Sequence, residues 1–210
     1  MSEARNLFLP KGSPFADTQD YRLKEVEMLK VAYSGIEGAF AHTAARRMFP
    51  EAIYVSYDNF TAAYNAVLNK ECDRAVLPVE NSYAGPVHTV NKLLSEGSLC
   101  VESEYVLLIV QNLLGMRGSR IEDIKKVISQ PKALEQCDRF LKDKGYELIP
   151  AENTAVAAKQ VAMGHDMSAA AVASLETAAI YGLKVLEEHI NELDDNKTRF
   201  VAVRRDKESQ

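Results

Sequence analysis

From Val31 onward, short apolar runs alternate with stretches whose apolar residues recur at helical spacing. Residues 31–34 read as a strand, 38–49 as a helix, 53–57 as a strand and 60–70 as a helix. Residues 75–79 make the next strand and 87–95 the next helix. Strands alternating with helices imply parallel βαβ units. A long β-rich segment, 101–110, separates this series from a second one. The second series has strand 127–129, helix 133–144, strand 147–150, helix 154–163, strand 169–173, helix 175–181 and a short strand 184–189. Residues 200–204 close the pattern as a last strand. Residues 1–30 are mostly polar, carry Pro10, Gly12 and Pro14, and read as a tail or linker outside the fold.

Two βα series joined by one long segment and revisited by a terminal strand predict an α/β fold of two lobes with a central cleft. The final strand is expected beside 101–110, so the chain crosses between lobes twice. Lobe one is expected to hold residues 31–105 plus 190–210, and lobe two residues 106–189. Ligands commonly bind between such lobes. A single continuous sheet satisfies the same periodicity and stays open at this point.

Composition narrows the function classes. The chain has 210 residues, of which 47% are hydrophobic and 26% charged, and its net charge is −5. No cluster of Lys and Arg suggests nucleic acid as a partner. No apolar run reaches the length of a membrane span, and the amino terminus lacks the layout of a signal peptide. Cys72, Cys100 and Cys137 are odd in number and form no C-x-x-C pair, so reduced thiols and a cytoplasmic location are expected. His42, His88, His165 and His189 lack metal-ligand spacing, so no metal is expected. Gly-x-Ser-x-Gly, Walker and complete Gly-x-Gly-x-x-Gly motifs are missing, which leaves acyl transfer and nucleotide chemistry without support.

Four polar clusters fall at predicted strand ends or helix starts. Gly35-Ile36-Glu37-Gly38-Ala39-Phe40 follows the first strand, where glycines allow close backbone approach and a helix start offers amides to an anion. It is equally an ordinary strand–helix turn. Glu80-Asn81-Ser82 ends the buried run 75–79; its residues suit a crevice, and Asn and Ser also suit a helix cap. Ser129-Gln130-Pro131, with Gln136 further on, marks a helix start, and Asn153-Thr154 is cap-like. Asn196-Lys197-Thr198-Arg199-Phe200 leads from an acidic loop into the last strand, and a hydroxyl beside a guanidinium can hold a carboxylate.

Taken in order, these strings resemble prephenate dehydratases. The family loop Gly-Pro-x-Gly-(Thr/Ser)-(Phe/Tyr) corresponds to residues 35–40, with Ile36 and Ala39 as departures. Pro-(Ile/Val)-Glu-Asn-Ser-x-x-Gly-x-Val stands at 78–87, Ser-(His/Gln)-Pro-x-Ala-x-x-Gln-Cys at 129–137, and Asn-x-Thr-Arg-Phe at 196–200. Ala170–Ser174 and Tyr181–Leu183 also match.

The resemblance implies two α/β lobes similar to type 2 periplasmic binding proteins, with the active site between them. It implies that prephenate loses carbon dioxide and water to give phenylpyruvate, in phenylalanine synthesis, without a cofactor. Arogenate dehydration and silent binding of a small anion are the alternatives. Thr198 is the expected catalytic donor. Gly38, Asn81, Ser82, Ser129, Gln136, Thr154, Arg199 and Phe200 are the expected substrate contacts. Glu80 is expected to pair with a cation or the backbone, because a carboxylate repels a dianion. A homodimer is an open expectation. So is a longer polypeptide carrying the chorismate mutase and ACT domains that accompany some relatives.

Overall fold

A computed structural model describes residues 28–206. Most of the expected tail lies outside the described residues; Lys30 already opens the first strand. In chain order the elements are β1 (Lys30–Ser34), α1 (Phe40–Met48), β2 (Ile53–Tyr57), α2 (Phe60–Leu68), β3 (Arg74–Asn81), β4 (Gly85–Pro86), α3 (His88–Ser95) and β5 (Cys100–Leu108). They continue as β6 (Asn112–Gly115), β7 (Lys126–Ser129), α4 (Pro131–Gln136), α5 (Asp138–Asp143), β8 (Glu147–Pro150), α6 (Thr154–Gly164), β9 (Ala169–Ala173), α7 (Leu175–Tyr181), β10 (Lys184–Glu187) and β11 (Lys197–Arg204).

These strands make two sheets, not one. The first has the order β2-β1-β3-β11-β5 with β4 paired to β3, and the second β10-β6-β9-β7-β8. β1 lies parallel between β2 and β3. β11 returns from the second lobe and inserts antiparallel between β3 and β5. The expected pairing of the last strand with the 101–110 segment is therefore present, and the chain passes between lobes at 109–111 and again at 188–196. The two passages bond to each other: Ile109 N donates to Asn196 O at 2.8 Å and Ile190 N to Gln111 O at 2.8 Å.

Alternation along β11 explains how one strand serves two cores. Phe200 and Ala202 point to the α1 side with Val31, Tyr33, Ala44 and Val76. Val201 and Val203 point to the other side with Val67, Leu77 and Val90. A strand buried on both faces reads as a continuous apolar run, as a central strand should. In the second lobe, β9 is buried at all five positions of its Ala-Ala-Ala-Val-Ala sequence. Its small side chains let α6 approach, itself lined by Ala157, Ala158 and Val161.

Three sequence expectations need correction. The helix expected over 133–144 is two helices, α4 and α5, broken at Cys137, whose φ of −116° and ψ of 14° leave the helical region. β6 was not expected at all, because its four residues follow the β-rich segment without a turn residue between. Both strands that meet at the cleft are longer than their apolar runs. β3 continues through Glu80 and Asn81, and β11 begins at Lys197, because these polar residues pair with each other: Thr198 opposite Asn81 and Arg199 opposite Glu80.

Candidate active site

A cavity of about 330 Å³ opens where the lobes meet. Lobe one contributes Phe40, Asn81 and Thr198; lobe two contributes Gln136 and Thr154; the passages between them contribute Gln111 and Asn196. Each of these positions lies at a strand end, a helix terminus or a crossing, where side chains escape the cores.

Asn81 organises the floor of the cavity. Its Oδ1 accepts from the backbone N–H groups of Tyr83 (3.0 Å) and Ala84 (2.9 Å). Because backbone N–H groups only donate, the amide orientation is fixed and Nδ2 must point the other way. Nδ2 donates to Thr198 Oγ1 at 2.9 Å and to Asn196 Oδ1 at 2.8 Å, with Lys197 O at 3.1 Å sharing the same hydrogens. Asn196 is thereby oriented as well, and its Nδ2 donates to Gln136 Oε1 at 3.1 Å. One chain of amides thus runs from the Ser82–Ala84 turn across the lobe boundary. Its outcome is directional: Thr198 Oγ1 accepts from Asn81, so its own hydrogen is free to donate, and Gln136 has its N–H groups free. Asn81 does not cap a helix; it caps a turn.

Thr154 begins α6 and is buried at the cavity wall, with Asn153 as the cap, accepting from Val156 N at 2.9 Å. Phe40 begins α1, whose cap position, Ala39, has no side chain able to accept. Both helices therefore point N-terminal amides and the positive end of the helix dipole toward the cavity.

Other expected contacts lie elsewhere. Ser129 is fully buried and donates from Oγ to Val172 O at 2.7 Å, joining β7 to β9 beneath the cavity. Ser82 ties the turn after β3 to the start of β11: its Oγ accepts from Lys197 N at 3.0 Å and its N–H donates to Lys197 O at 2.9 Å. Arg199 faces away from Thr198 on β11 and pairs with Glu80 at 3.2 Å and Glu104 at 3.3 Å. This supplies the cation expected beside Glu80 and removes Arg199 from the cavity wall. Phe200 is 2% exposed in the α1-side core, so it supports the strand and does not cover a ligand. For Ser129→Ala we expect a stability loss of about 1–2 kcal/mol, since the Val172 carbonyl is left without its buried donor. Turnover should be unchanged; chemical denaturation beside a rate assay checks both.

Gly38 is committed to structure. Its φ of +90° suits glycine, and a Cβ there would meet Thr177 Cγ2 at 3.3 Å. Its N–H donates to His42 Nδ1 at 3.1 Å and its carbonyl accepts from Thr177 Oγ1 at 2.8 Å. Tyr181 OH donates to Glu37 O at 2.7 Å beside it, so this loop clasps α7 of the other lobe. The Gly38 amide is thus unavailable to an anion.

Burial holds the His42 pKa below its ordinary value, with Glu37 opposing and Arg46 reinforcing the shift. Protonation would also place a hydrogen on Nδ1 and break the Gly38 bond. The unfolded chain takes up this proton first as pH falls below about 6.5, so stability present above that pH is lost as pH drops toward the folded value. We expect wild type to lose more thermal stability between pH 7.5 and 5.5 than His42→Gln does. Equal losses in the two would show that His42 stays neutral or charged throughout.

Two cavity residues carried little sequence signal. Asn196 opens the Asn-x-Thr-Arg-Phe string but looked like a loop residue. Gln111 sits just past an apolar run and belongs to no recognisable motif.

The family profile of prephenate dehydratase matches residues 31–208. The chain belongs to this family. Arogenate dehydratase 2 of Petunia hybrida is 40% identical over 198 residues, covering 94% of this chain and 50% of that protein. The prephenate dehydratase of Arthrobacter aurescens, solved with L-Phe, superposes with a TM-score of 0.78 at 26% identity, over 85% of this chain and 61% of that one. GqqA, described as a novel type of quorum quenching acylase, also gives 0.78, at 29% identity over 84% of this chain and 64% of that one. The chain thus spans about half the length of the curated relatives it matches. Among prephenate dehydratases the Asn-x-Thr-Arg-Phe string is a family signature; here it brings Asn196 and Thr198 to the cavity and turns Arg199 and Phe200 away from it.

Proposed function

We propose that this chain is a prephenate dehydratase, converting prephenate to phenylpyruvate, carbon dioxide and water. The observation that carries the reading is the Thr198 hydroxyl, oriented by Asn81 at the floor of the interlobe cavity. In the reaction the ring carboxylate leaves as carbon dioxide. Its bonding pair enters the ring, the C–O bond on the opposite carbon breaks, and the departing oxygen takes a proton to become water. Aromatisation drives these steps, so the protein needs to hold a dianion, align two breaking bonds and assist the leaving oxygen.

Thr198 donates to that oxygen. A hydroxyl is too weak an acid to surrender its proton outright, so Thr198 stabilises developing negative charge and relays a proton from water. The N-terminal amides of α1 and α6, with Gln136 N–H groups, receive the carboxylates. They offset the long-range repulsion of a chain whose net charge is −5. Direct ultraviolet detection of phenylpyruvate from purified protein and prephenate tests the reading. No product above the buffer blank would end it.

An acylase, the activity named for GqqA, needs a nucleophile beside a base. Among the described residues no histidine hydrogen-bonds to a hydroxyl: Ser129 is turned onto a carbonyl, and His42 receives the Gly38 amide. The geometry therefore favours dehydration.

Three free cysteines, two of them buried, support a reducing compartment, and we place the chain in the cytoplasm. Burial pushes the Cys137 thiol up to about 12, which suits an inert core residue. No described helix is long and apolar enough to cross a membrane. A homodimer, and a longer polypeptide with a regulatory or mutase domain, complete the proposal; the half-length match to relatives supports the second.

A further inference from the structure

We propose that Lys132 is the cation that receives the carboxylate of the substrate's 2-oxo acid side chain, and that Glu135 holds it in waiting until that carboxylate arrives. The inference rests on the dehydratase reading above. Among the described residues that line the interlobe cavity, Lys132 is the one that carries a charge. Arg199, the cation expected there, is turned onto Glu80 and Glu104. Lys132 stands in the first turn of α4 and Gln136 four residues on, so both project from one side of that helix, and both line the cavity. Gln136 Oε1 is occupied by Asn196, which leaves its N–H groups to donate. A carboxylate placed between the two meets one charged donor and one neutral one.

The present partner of Lys132 is easily exchanged. Its Nζ donates to Glu135 Oε1 at 3.0 Å and Oε2 at 2.9 Å, and both side chains are exposed. An exposed pair of this kind contributes little. Nor does the helix gain from it: the dipole disfavours a cation in the first turn, and a lysine preceding its glutamate is the less favourable order. Glu135 lines a second, smaller cavity of about 160 Å³ beside Asn196, and Lys132 lines both. Rotation about the flexible lysine stem therefore carries the ammonium from one to the other. The reaction decides which carboxylate it holds. The ring carboxylate gives up its charge as it leaves as neutral carbon dioxide, so a cation fixed there would stabilise the ground state more than the transition state. The side-chain carboxylate keeps its charge from substrate to product, and a cation there holds every species along the way.

The test measures kcat and KM on prephenate, and competitive inhibition by phenylpyruvate, for wild type, Lys132→Met, Lys132→Arg and Glu135→Gln, using the purified chain. Lys132→Met should raise KM and the phenylpyruvate inhibition constant together, about tenfold or more, while kcat falls less. Lys132→Arg, which keeps the charge, should restore most of the loss. Glu135→Gln should lower both constants, and should lose that effect when position 132 is Met, because mere removal of a negative charge would act in either background. An unmoved KM in Lys132→Met overturns the inference. So does a KM that rises while phenylpyruvate inhibition stays as in wild type, since the product has lost the ring carboxylate and kept the other. A Glu135→Gln effect equal in the two backgrounds overturns the holding role of Glu135. Wild type that forms no phenylpyruvate instead overturns the dehydratase reading, and this inference with it.

Discussion

Thr198→Val should lower kcat on prephenate by about 100-fold or more while moving KM little. Valine keeps the shape and β-branching that suit β11 but removes the only hydroxyl hydrogen that Asn81 leaves free to donate. The geometry makes this a transition-state loss. In the ground state the substrate hydroxyl can hydrogen-bond to water; as the C–O bond breaks, the oxygen gains charge and needs a fixed donor. A rise in KM without loss of kcat would assign Thr198 to ground-state binding. Because Asn81 Nδ2 also reaches Asn196 and Lys197, the substitution leaves that amide with partners, and folding should survive. Steady-state kinetics with a denaturation curve of the same preparation separates the two effects.

Phe200→Ala should destabilise the fold by about 3–5 kcal/mol. Phe200 is among the largest fully buried side chains, and it sits on a strand flanked on both sides by other strands. Neighbours such as Tyr33 and Val76 are held by their own ladders and cannot collapse into the space. Phe200 is two residues from Thr198 on the same face, so the cavity left behind would also loosen the strand that carries the proposed catalytic hydroxyl. Urea denaturation should show a lower midpoint with an unchanged slope. A loss of activity at full stability would instead mean that Phe200 touches the substrate.

These two neighbours show what could and could not be read from the residues. Periodicity gave the two βα series, and with them both lobes and the return of the last strand. It failed where strands end in polar residues. Glu80, Asn81, Thr198 and Arg199 have no apolar alternation, yet they pair across β3 and β11, because cleft-facing strand ends need hydrogen-bond partners more than they need apolar cover. Motif reading found Asn81, Gln136, Thr154 and Thr198 at the cavity. It also marked Ser129, Arg199 and Phe200, which sit in the same strings but serve packing or ion pairing. A string records adjacency along the chain, whereas a strand turns successive residues to opposite faces. Gln111 was illegible for the opposite reason: it belongs to no string, and only its three-dimensional placement at the crossing brings it to the cavity.

The position of β11 has a consequence for how the chain matures on the ribosome. Lobe two is one uninterrupted stretch, but the first sheet keeps a gap between β3 and β5 that the last-synthesised strand must fill. Until Arg204 has emerged, both of those strands present open edges. Synthesis therefore leaves the first-made half unfinished while the second-made half is already able to close, and a ribosome stalled before residue 197 would hold a nascent chain with an aggregation-prone seam.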